Sequence, residues 1–401
     1  MTHRVAIVGA GPSGFYAADG LLRARPDLHI DIIDRLPTPY GLVRAGVAPD
    51  HQGTKAIVRQ FEKLLAQPDV RFAGNIDVGR DISWEEFDAA YDAVIVATGM
   101  VIDRKLGVPG EDLPHVWGSW RFVGWLNGHP DFRVGPDLSK AKTVAVVGNG
   151  NVALDVARVL AKSADEMAKS DIVPEAGAAI AAAPLTDIHV IGRRGPEHAS
   201  FTNNELAEMG RLARAVSVTD AKALDVAPPA TDPTPERLRK AKNLEILKGF
   251  AGHKAGEKPV TVHFVFGAAP KAIRPGEIEL TSNSMGGTLK ADLVVTCIGY
   301  SGEEFPKRDD VFPVGWAKRG PSGTIPTNRA ESHAVAQQVL AFLKDRDPKS
   351  GPDVLPIAVD AAGWHRIDKH EVAAGAAKGR PRVKLTDWQA LLDVAQDGRR
   401  P

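Results

Sequence analysis

Two copies of one pattern constrain this chain more than anything else in it: an apolar β-branched run, a glycine-rich turn, then a helix-like segment. In the first copy Arg4-Val-Ala-Ile-Val8 reads as a buried parallel strand. Gly9-Ala-Gly11-Pro-Ser-Gly14 reads as the turn, and Phe15 to Arg25 as the helix. A second strand-like run, Ile30 to Ile33, ends in Asp34. This is a complete dinucleotide-binding arrangement. Gly9 permits the tight turn, Gly11 lets backbone approach a pyrophosphate, and Gly14 lets helix pack close to strand. The helix start offers free N–H groups to phosphate oxygens, and a carboxylate at Asp34 suits a ribose hydroxyl. A bare glycine turn would need neither the flanking strands nor the spaced acid.

The second copy differs at its end. Thr143-Val-Ala-Val-Val147 is the strand, Gly148-Asn-Gly150-Asn-Val-Ala153 the turn, and Leu154 to Lys162 the helix, with alanine as an accepted third glycine. The next strand, Ile188 to Ile191, runs into Gly192-Arg193-Arg194. A carboxylate there would repel a 2′-phosphate, whereas guanidinium groups grip one. The first site therefore suits an unphosphorylated adenosine ribose and the second suits NADP. A solvated pair of loop charges is the plainer alternative for the two arginines. Two more apolar runs ending in glycine, Tyr91 to Gly99 and Ala291 to Gly299, close the two units.

These units set the expected architecture: an α/β chain with two Rossmann-like dinucleotide-binding domains, the second inserted in the first. Residues 1–103 form the first part of one domain, 104–300 the inserted domain, and 301–401 the return and a C-terminal tail. The expected crossover, Val101 to Glu111, carries Gly107, Pro109 and Gly110. Asp171 to Thr186 and Val226 to Pro235 are expected to be the least ordered parts of the inserted domain. A helix from about Arg329 to Lys344 is predicted, with Thr327 or Asn328 as its N-cap.

Composition trims the functional classes. Fifty Lys plus Arg against fifty Asp plus Glu leave no net charge, so nothing global points to nucleic acid or an anionic membrane. A single cysteine, Cys297, excludes an intramolecular disulfide, a Cys-x-x-Cys redox pair and a cluster held by cysteines of one chain. It fits a reducing compartment, and a bacterial cytoplasm is expected. No apolar run approaches bilayer-spanning length. His3 and Arg4 precede an apolar run, but its glycines and Pro12 read as folded protein rather than a signal peptide.

Five further blocks carry a family resemblance. They are Pro39-Tyr-Gly-Leu-Val-Arg-Ala-Gly-Val-Ala-Pro-Asp-His51, Val147-Gly-Asn-Gly-Asn-Val-Ala-Leu-Asp-Val-Ala-Arg158, Gly192-Arg-Arg-Gly-Pro196, Val314-Gly-Trp-Ala-Lys-Arg-Gly-Pro-Ser-Gly323 and Gly379-Arg-Pro-Arg-Val-Lys-Leu385. In this order they resemble an adrenodoxin-reductase-type NADPH–ferredoxin reductase. The resemblance implies FAD in the first domain, NADPH in the second, and a [2Fe-2S]-type ferredoxin as acceptor, serving a cytochrome P450 or another oxygenase. It puts Ser13, Asp34, Leu42, Val78, Trp316, Gly323, Thr324 and Ile325 against FAD, beside the turn glycines Gly9, Gly11 and Gly14 already read from their spacing. It puts Asn149, Gly150, Asn151, Val152, Arg193, Arg194 and Glu205 against NADPH, with Gly323 near both, and His51 and Glu208 beside the nicotinamide.

The chain departs from the family at Asp34, commonly Glu, and at Ser301 to Pro313, a much shorter stretch than usual. Since hydride transfer needs no general base, His51 and Glu208 are expected to place the nicotinamide rather than to take a proton. Trp316 is expected as a flat wall of the flavin pocket, and Cys297 as a small buried residue. Ferredoxins of this system are acidic, so docking calls for a local basic surface, with Lys318 and Arg319 as candidates. Two alternatives stand beside this reading: a diaphorase reducing quinones directly, and a non-catalytic NADPH-binding flavoprotein acting as a redox sensor.

Overall fold

The computed structural model describes residues 2–281, 287–323, 325–356 and 358–397. Its backbone is built on two parallel sheets. In the first, strands are ordered Val311–Pro313, Ala93–Val96, Arg4–Val8, His29–Asp34, Val70–Gly74, and every neighbouring pair is parallel. In the second the order is Val116–Gly118, Leu293–Thr296, Thr143–Val147, Asp187–Gly192, Val260–Phe266, Ala215–Thr219, again all parallel. The chain is thus α/β, and each Gly-rich turn follows the carboxyl end of a central strand, where doubly wound sheets bind ligands.

The central strands are apolar on both faces because both faces are covered, in the second sheet by helices on one side and by an antiparallel sheet carrying Ile273, Ile278 and Leu289 on the other. All five residues of Thr143–Val147 are buried, and Val5, Ala6 and Ile7 have no exposed surface. Each buried Val or Ile contributes about 1.5–3 kcal/mol relative to exposure, so these strands anchor their sheets. On the first sheet, helix Pro12–Ala24 packs along helix Ile325–Leu343, with Gly20 leaving only 3.0 Å between an added Cβ and Ala336. The first sheet therefore takes its last strand and a covering helix from chain that follows the second sheet. The outgoing and returning segments lie side by side, with Ile102–Asp103 paired antiparallel to Tyr300–Ser301.

Several boundaries differ from those read in the sequence. The two helices after the glycine turns begin at Pro12 and Asn151, three residues earlier than expected. Asp171 to Thr186, expected to be irregular, contains helix Pro174–Ala182 with proline at its start and Ala176 and Ile180 buried. The late helix begins at Ile325, so Thr327 and Asn328 lie inside it and do not cap it. Among the described residues no helix is long and apolar enough to cross a membrane.

Candidate functional site

At the first turn the three glycines have three distinct constraints. Gly9 has φ +110°, and a Cβ there would stand 2.4 Å from the Ala97 carbonyl oxygen. A Cβ on Gly14 would stand 2.2 Å from the Gly9 oxygen, so helix and strand could not pack. Gly11, at φ −85°, has nothing within 4 Å of its would-be Cβ. That open space borders the start of a thirteen-residue helix with no side-chain cap, so its first N–H groups remain available to an anion. Asp34 accepts from Ala10 N–H at 2.8 Å and Leu36 N–H at 2.9 Å, one bond to each oxygen. Each oxygen keeps a further lone pair for a ribose hydroxyl. Burial raises the Asp34 pKa, and the two backbone bonds oppose that.

Of the other residues expected around FAD, Ser13 and Leu42 lie at this turn. Ser13 lies under Gly315, where a Cβ would fall 2.1 Å from Ser13 Oγ. Leu42 begins the short helix Leu42–Ala45, after Gly41, whose Cβ would sit 3.0 Å from Gly11 Cα. Val78 packs on the core that holds Ile33 and Ala73, and Ile325 on the core that holds Phe15. Trp316 stacks on Tyr300 with ring centroids 5.9 Å apart at 22°, while its indole N–H donates to Ser322 O. It belongs to the short helix Trp316–Arg319. Gly323 takes φ +82° beside Thr327, and Thr324 lies outside the described residues.

The second turn carries a clear sign of a missing polar partner. Both side-chain amide atoms of Asn149 are buried and unbonded, which costs free energy unless a ligand supplies partners. Gly192, the end of the neighbouring strand, abuts that amide: a Cβ there would lie 2.8 Å from Asn149 Nδ2. Gly150 precedes the uncapped helix Asn151–Ala161, whose first turn holds Asn151 and Val152. Asn151 is fixed by accepting from Thr202 N–H at 2.8 Å. Arg193 and Arg194 are exposed, and among the described residues neither side chain has an ion pair or hydrogen bond. Both turns thus have the room and the donors that a dinucleotide requires.

Between the two turns lies a charged junction. His51, from the first unit, has Nε2 at 3.4 Å from both Glu205 Oε2 and Glu208 Oε2 of the second. The two residues expected beside the nicotinamide are therefore brought together, and Glu205, expected against NADPH, shares the cluster with them. Arg158 stands behind the three with no exposed surface, 2.9 Å from Glu205 Oε2 and 2.7 Å from Asp155 Oδ1. Its Nε and Nη2 reach across to Asp50 Oδ2 and Oδ1 at 2.8 and 3.0 Å, and Lys162 adds a bond to Asp50 Oδ2 at 2.7 Å. Burial alone would raise the Asp50 pKa, but Arg158 and Lys162 hold it well below the usual carboxylate range. Burial raises Asp155 and Glu205 instead, with Asp155 adding to the rise at Glu205.

No motif in the sequence assigns a role to Asp50, Asp155, Arg158 or Lys162. A signal existed: Asn151, Asp155, Arg158 and Lys162 recur at i, i+4, i+7 and i+11, a polar stripe on an otherwise apolar helix. Two expectations about single residues are also resolved. Arg319 donates to Ser322 O and Asn328 Oδ1 and pairs with Glu331, so it braces its own loop and is not a free docking charge; Lys318 is exposed. Cys297 is half-buried just beyond its strand, with its thiol pKa pushed up by burial, and its carbonyl lies 2.4 Å from a would-be Cβ on Gly148.

Comparison with known proteins gives a consistent picture. Residues 3–191 match the pyridine nucleotide-disulphide oxidoreductase family. The chain is 37% identical to the NADPH-ferredoxin reductase FprA of Mycobacterium tuberculosis, over 97% of this chain and 98% of that protein. It is 34% identical to the mitochondrial NADPH:adrenodoxin oxidoreductase of Arabidopsis thaliana, over 98% and 95%. A solved structure of M. tuberculosis FprA in complex with NADPH superposes with a TM-score of 0.92 at 36% identity, covering 98% of this chain and 100% of that one.

Proposed function

The chain belongs to the adrenodoxin-reductase-type NADPH–ferredoxin reductase family, and we propose that it is an FAD-dependent enzyme passing electrons from NADPH to a ferredoxin. The observation that carries this reading is the contrast between the two turns: a carboxylate at one ribose position, two exposed guanidinium groups at the other. The first accepts from free ribose hydroxyls, as in the adenosine half of FAD; the second binds a 2′-phosphate.

In this reading residues 1–103 and 301–401 form the FAD domain, and 104–300 the NADPH domain. Gly9, Gly11, Ser13, Gly14 and Asp34 hold the FAD pyrophosphate and ribose, and Leu42, Val78, Trp316 and Gly323 to Ile325 surround the rest. Asn149 to Val152, Arg193 and Arg194 hold NADPH. Bound flavin supplies the conversion of a two-electron hydride donor into a one-electron source for an iron–sulfur acceptor. The chain's own residues bind, orient and exclude water. Asn149 gains partners for its stranded amide, and Trp316, held by Tyr300 and Ser322, gives a fixed aromatic wall. His51 with Glu205 and Glu208 lines the junction and aligns the nicotinamide. A [2Fe-2S] ferredoxin serving a cytochrome P450 or other oxygenase, in a bacterial cytoplasm, is the setting this chemistry suits.

Anaerobic stopped-flow tests the reading. NADPH should bleach the flavin rapidly, and an oxidised [2Fe-2S] ferredoxin should restore its colour in one-electron steps. A flavin that NADPH leaves oxidised overturns the assignment; one that is bleached but reoxidised only by quinones replaces the ferredoxin by a diaphorase acceptor.

A further inference from the structure

Arg158 is a fully buried cation whose donors are engaged on both sides of the boundary between the two units. Nε meets Asp50 Oδ2, Nη2 meets Asp50 Oδ1 at 3.0 Å and His51 Nδ1 at 3.5 Å, and Nη1 meets Glu205 and Asp155. Asp50 and His51 are consecutive residues of the first unit, whereas Arg158 lies on the helix that follows the second glycine turn. One planar group therefore reads the position of the His51 loop from two directions at once.

The contact with His51 has a chemical consequence. A guanidinium has only donors and keeps its protons at any working pH. The ring nitrogen facing it, Nδ1, lies 3.5 Å from that donor and 3.9 Å from Asp155 Oδ1; accepting from the guanidinium, the nearer group, leaves the proton of the neutral ring on Nε2. Nε2 is the nitrogen that faces Glu205 and Glu208. A protonated ring would set Nδ1–H against the guanidinium. Asp155 Oδ1, the competing acceptor at Nδ1, is itself held at 2.7 Å by Arg158 Nη1, so the same guanidinium engages both the ring and its competitor.

Resting on the reading above, we propose that Arg158 is a positioning residue: it docks the Asp50–His51 loop onto the NADPH-side helix and fixes His51 as the Nε2–H tautomer for nicotinamide alignment. It touches neither nucleotide in this role. Lysine in its place would keep the charge and lose the planar fork, so it can hold Asp50 or face His51 but cannot do both in one geometry.

The test uses the FAD-bound protein. Labelling histidines with ¹⁵N, and assigning His51 by its loss in His51→Gln, reads the tautomer with no nucleotide present. Wild type should show Nε2–H; Arg158→Lys should lose that preference. The same variant should reduce its flavin with NADPH about ten- to a hundredfold more slowly at saturation, while NADPH affinity changes by no more than about threefold. If Arg158→Lys fails to retain FAD, Asp50→Asn, which keeps the guanidinium and loosens its anchor, should show both changes in weaker form. An Nε2–H tautomer unchanged in the folded variant overturns the proposal whatever the rate. A wild-type flavin that NADPH does not reduce would sink the functional reading, and the tautomer would still decide the role of Arg158.

Discussion

Lys55 Nζ lies 2.7 and 2.9 Å from the two carboxylate oxygens of Asp171, a buried ion pair joining segments 116 residues apart. Lys384 crowds the same carboxylate at 3.0 Å, and both ammonium groups donate to Asn127 Oδ1. One carboxylate thus serves two buried lysines. Burial, with repulsion from Lys55 and Arg44, holds the Lys384 pKa well below its ordinary value even though Asp171 favours the charge. The two sides of the cluster should respond unequally. Asp171→Asn strands the lysines and should cost about 3–5 kcal/mol. Lys384→Met leaves Asp171 paired with Lys55 and should cost only about 1–2 kcal/mol, the worth of its lost hydrogen bonds. Denaturant unfolding of both variants checks this, and equal losses would mean that Asp171 is not the shared partner.

Arg193 and Arg194 make a prediction about selectivity. Each is exposed and, among the described residues, its side chain has no ion pair or hydrogen bond, so removing one costs the fold little. Facing a 2′-phosphate, each charge-assisted contact should contribute about 1.5–3 kcal/mol, and exposure favours the lower end. Either alanine variant should therefore lower kcat/KM for NADPH about tenfold or more, with the NADH value nearly unchanged. Parallel losses with both nucleotides would show that the arginines do not read the phosphate.

A third outcome concerns acid. His129 and His189 are buried, and burial is the main cause that lowers each pKa to about 4; His263, stacked 4.5 Å from His189, lowers the latter further. Asp131 and Asp187 oppose these shifts without cancelling them. In the unfolded chain both rings titrate near 6.5, so as pH falls the unfolded state takes up protons first. Their stabilising effect is complete above about pH 6.5 and is lost between there and pH 4, by at most about 3 kcal/mol per ring. Melting temperatures at fixed excess FAD should fall from pH 7 to 5, and His189→Phe should shallow that slope. A slope left unchanged by His189→Phe would assign the acid sensitivity elsewhere.

The glycine turns were legible because each glycine answers a local need: a positive φ at Gly9, a close helix at Gly14. Helix starts were less so, because the last residues of each turn already take helical dihedrals and the helices open at Pro12 and Asn151. Helix Pro174–Ala182 escaped because alanines on every side give no apolar stripe, and tertiary burial of Ala176 and Ile180 supplies what periodicity does not show. The family motifs located His51 and Glu208, but the charged junction is assembled from residues 50, 51, 155, 158, 162, 205 and 208. Its partners are chosen by how two units meet, which no window of sequence contains. Arg158 is the sharpest case: an arginine on a helix reads as a solvated charge until Asp50 arrives from the other unit.

The last prediction separates binding from folding at a single turn. Gly11 and Gly14 stand three residues apart in the same motif, yet an added methyl group meets opposite surroundings. At Gly14 it would lie 2.2 Å from the Gly9 carbonyl oxygen and 3.1 Å from Ile7 Cγ2, so the helix must lift from the strand. Gly14→Ala should therefore destabilise the protein itself by about 1–3 kcal/mol, as overpacked cores do. At Gly11 the methyl group meets no protein atom within 4 Å, and φ −85° suits alanine. Gly11→Ala should leave the apoprotein as stable as wild type in denaturant, or slightly more so, because alanine restricts the unfolded chain. In the proposed FAD site it fills the space where backbone must approach the pyrophosphate, so FAD retention after gel filtration should drop sharply. Unfolding of FAD-stripped protein and flavin absorbance of purified protein measure the two effects independently. A Gly11→Ala protein that keeps its full complement of FAD would show that the open space beside the helix start is not the pyrophosphate site.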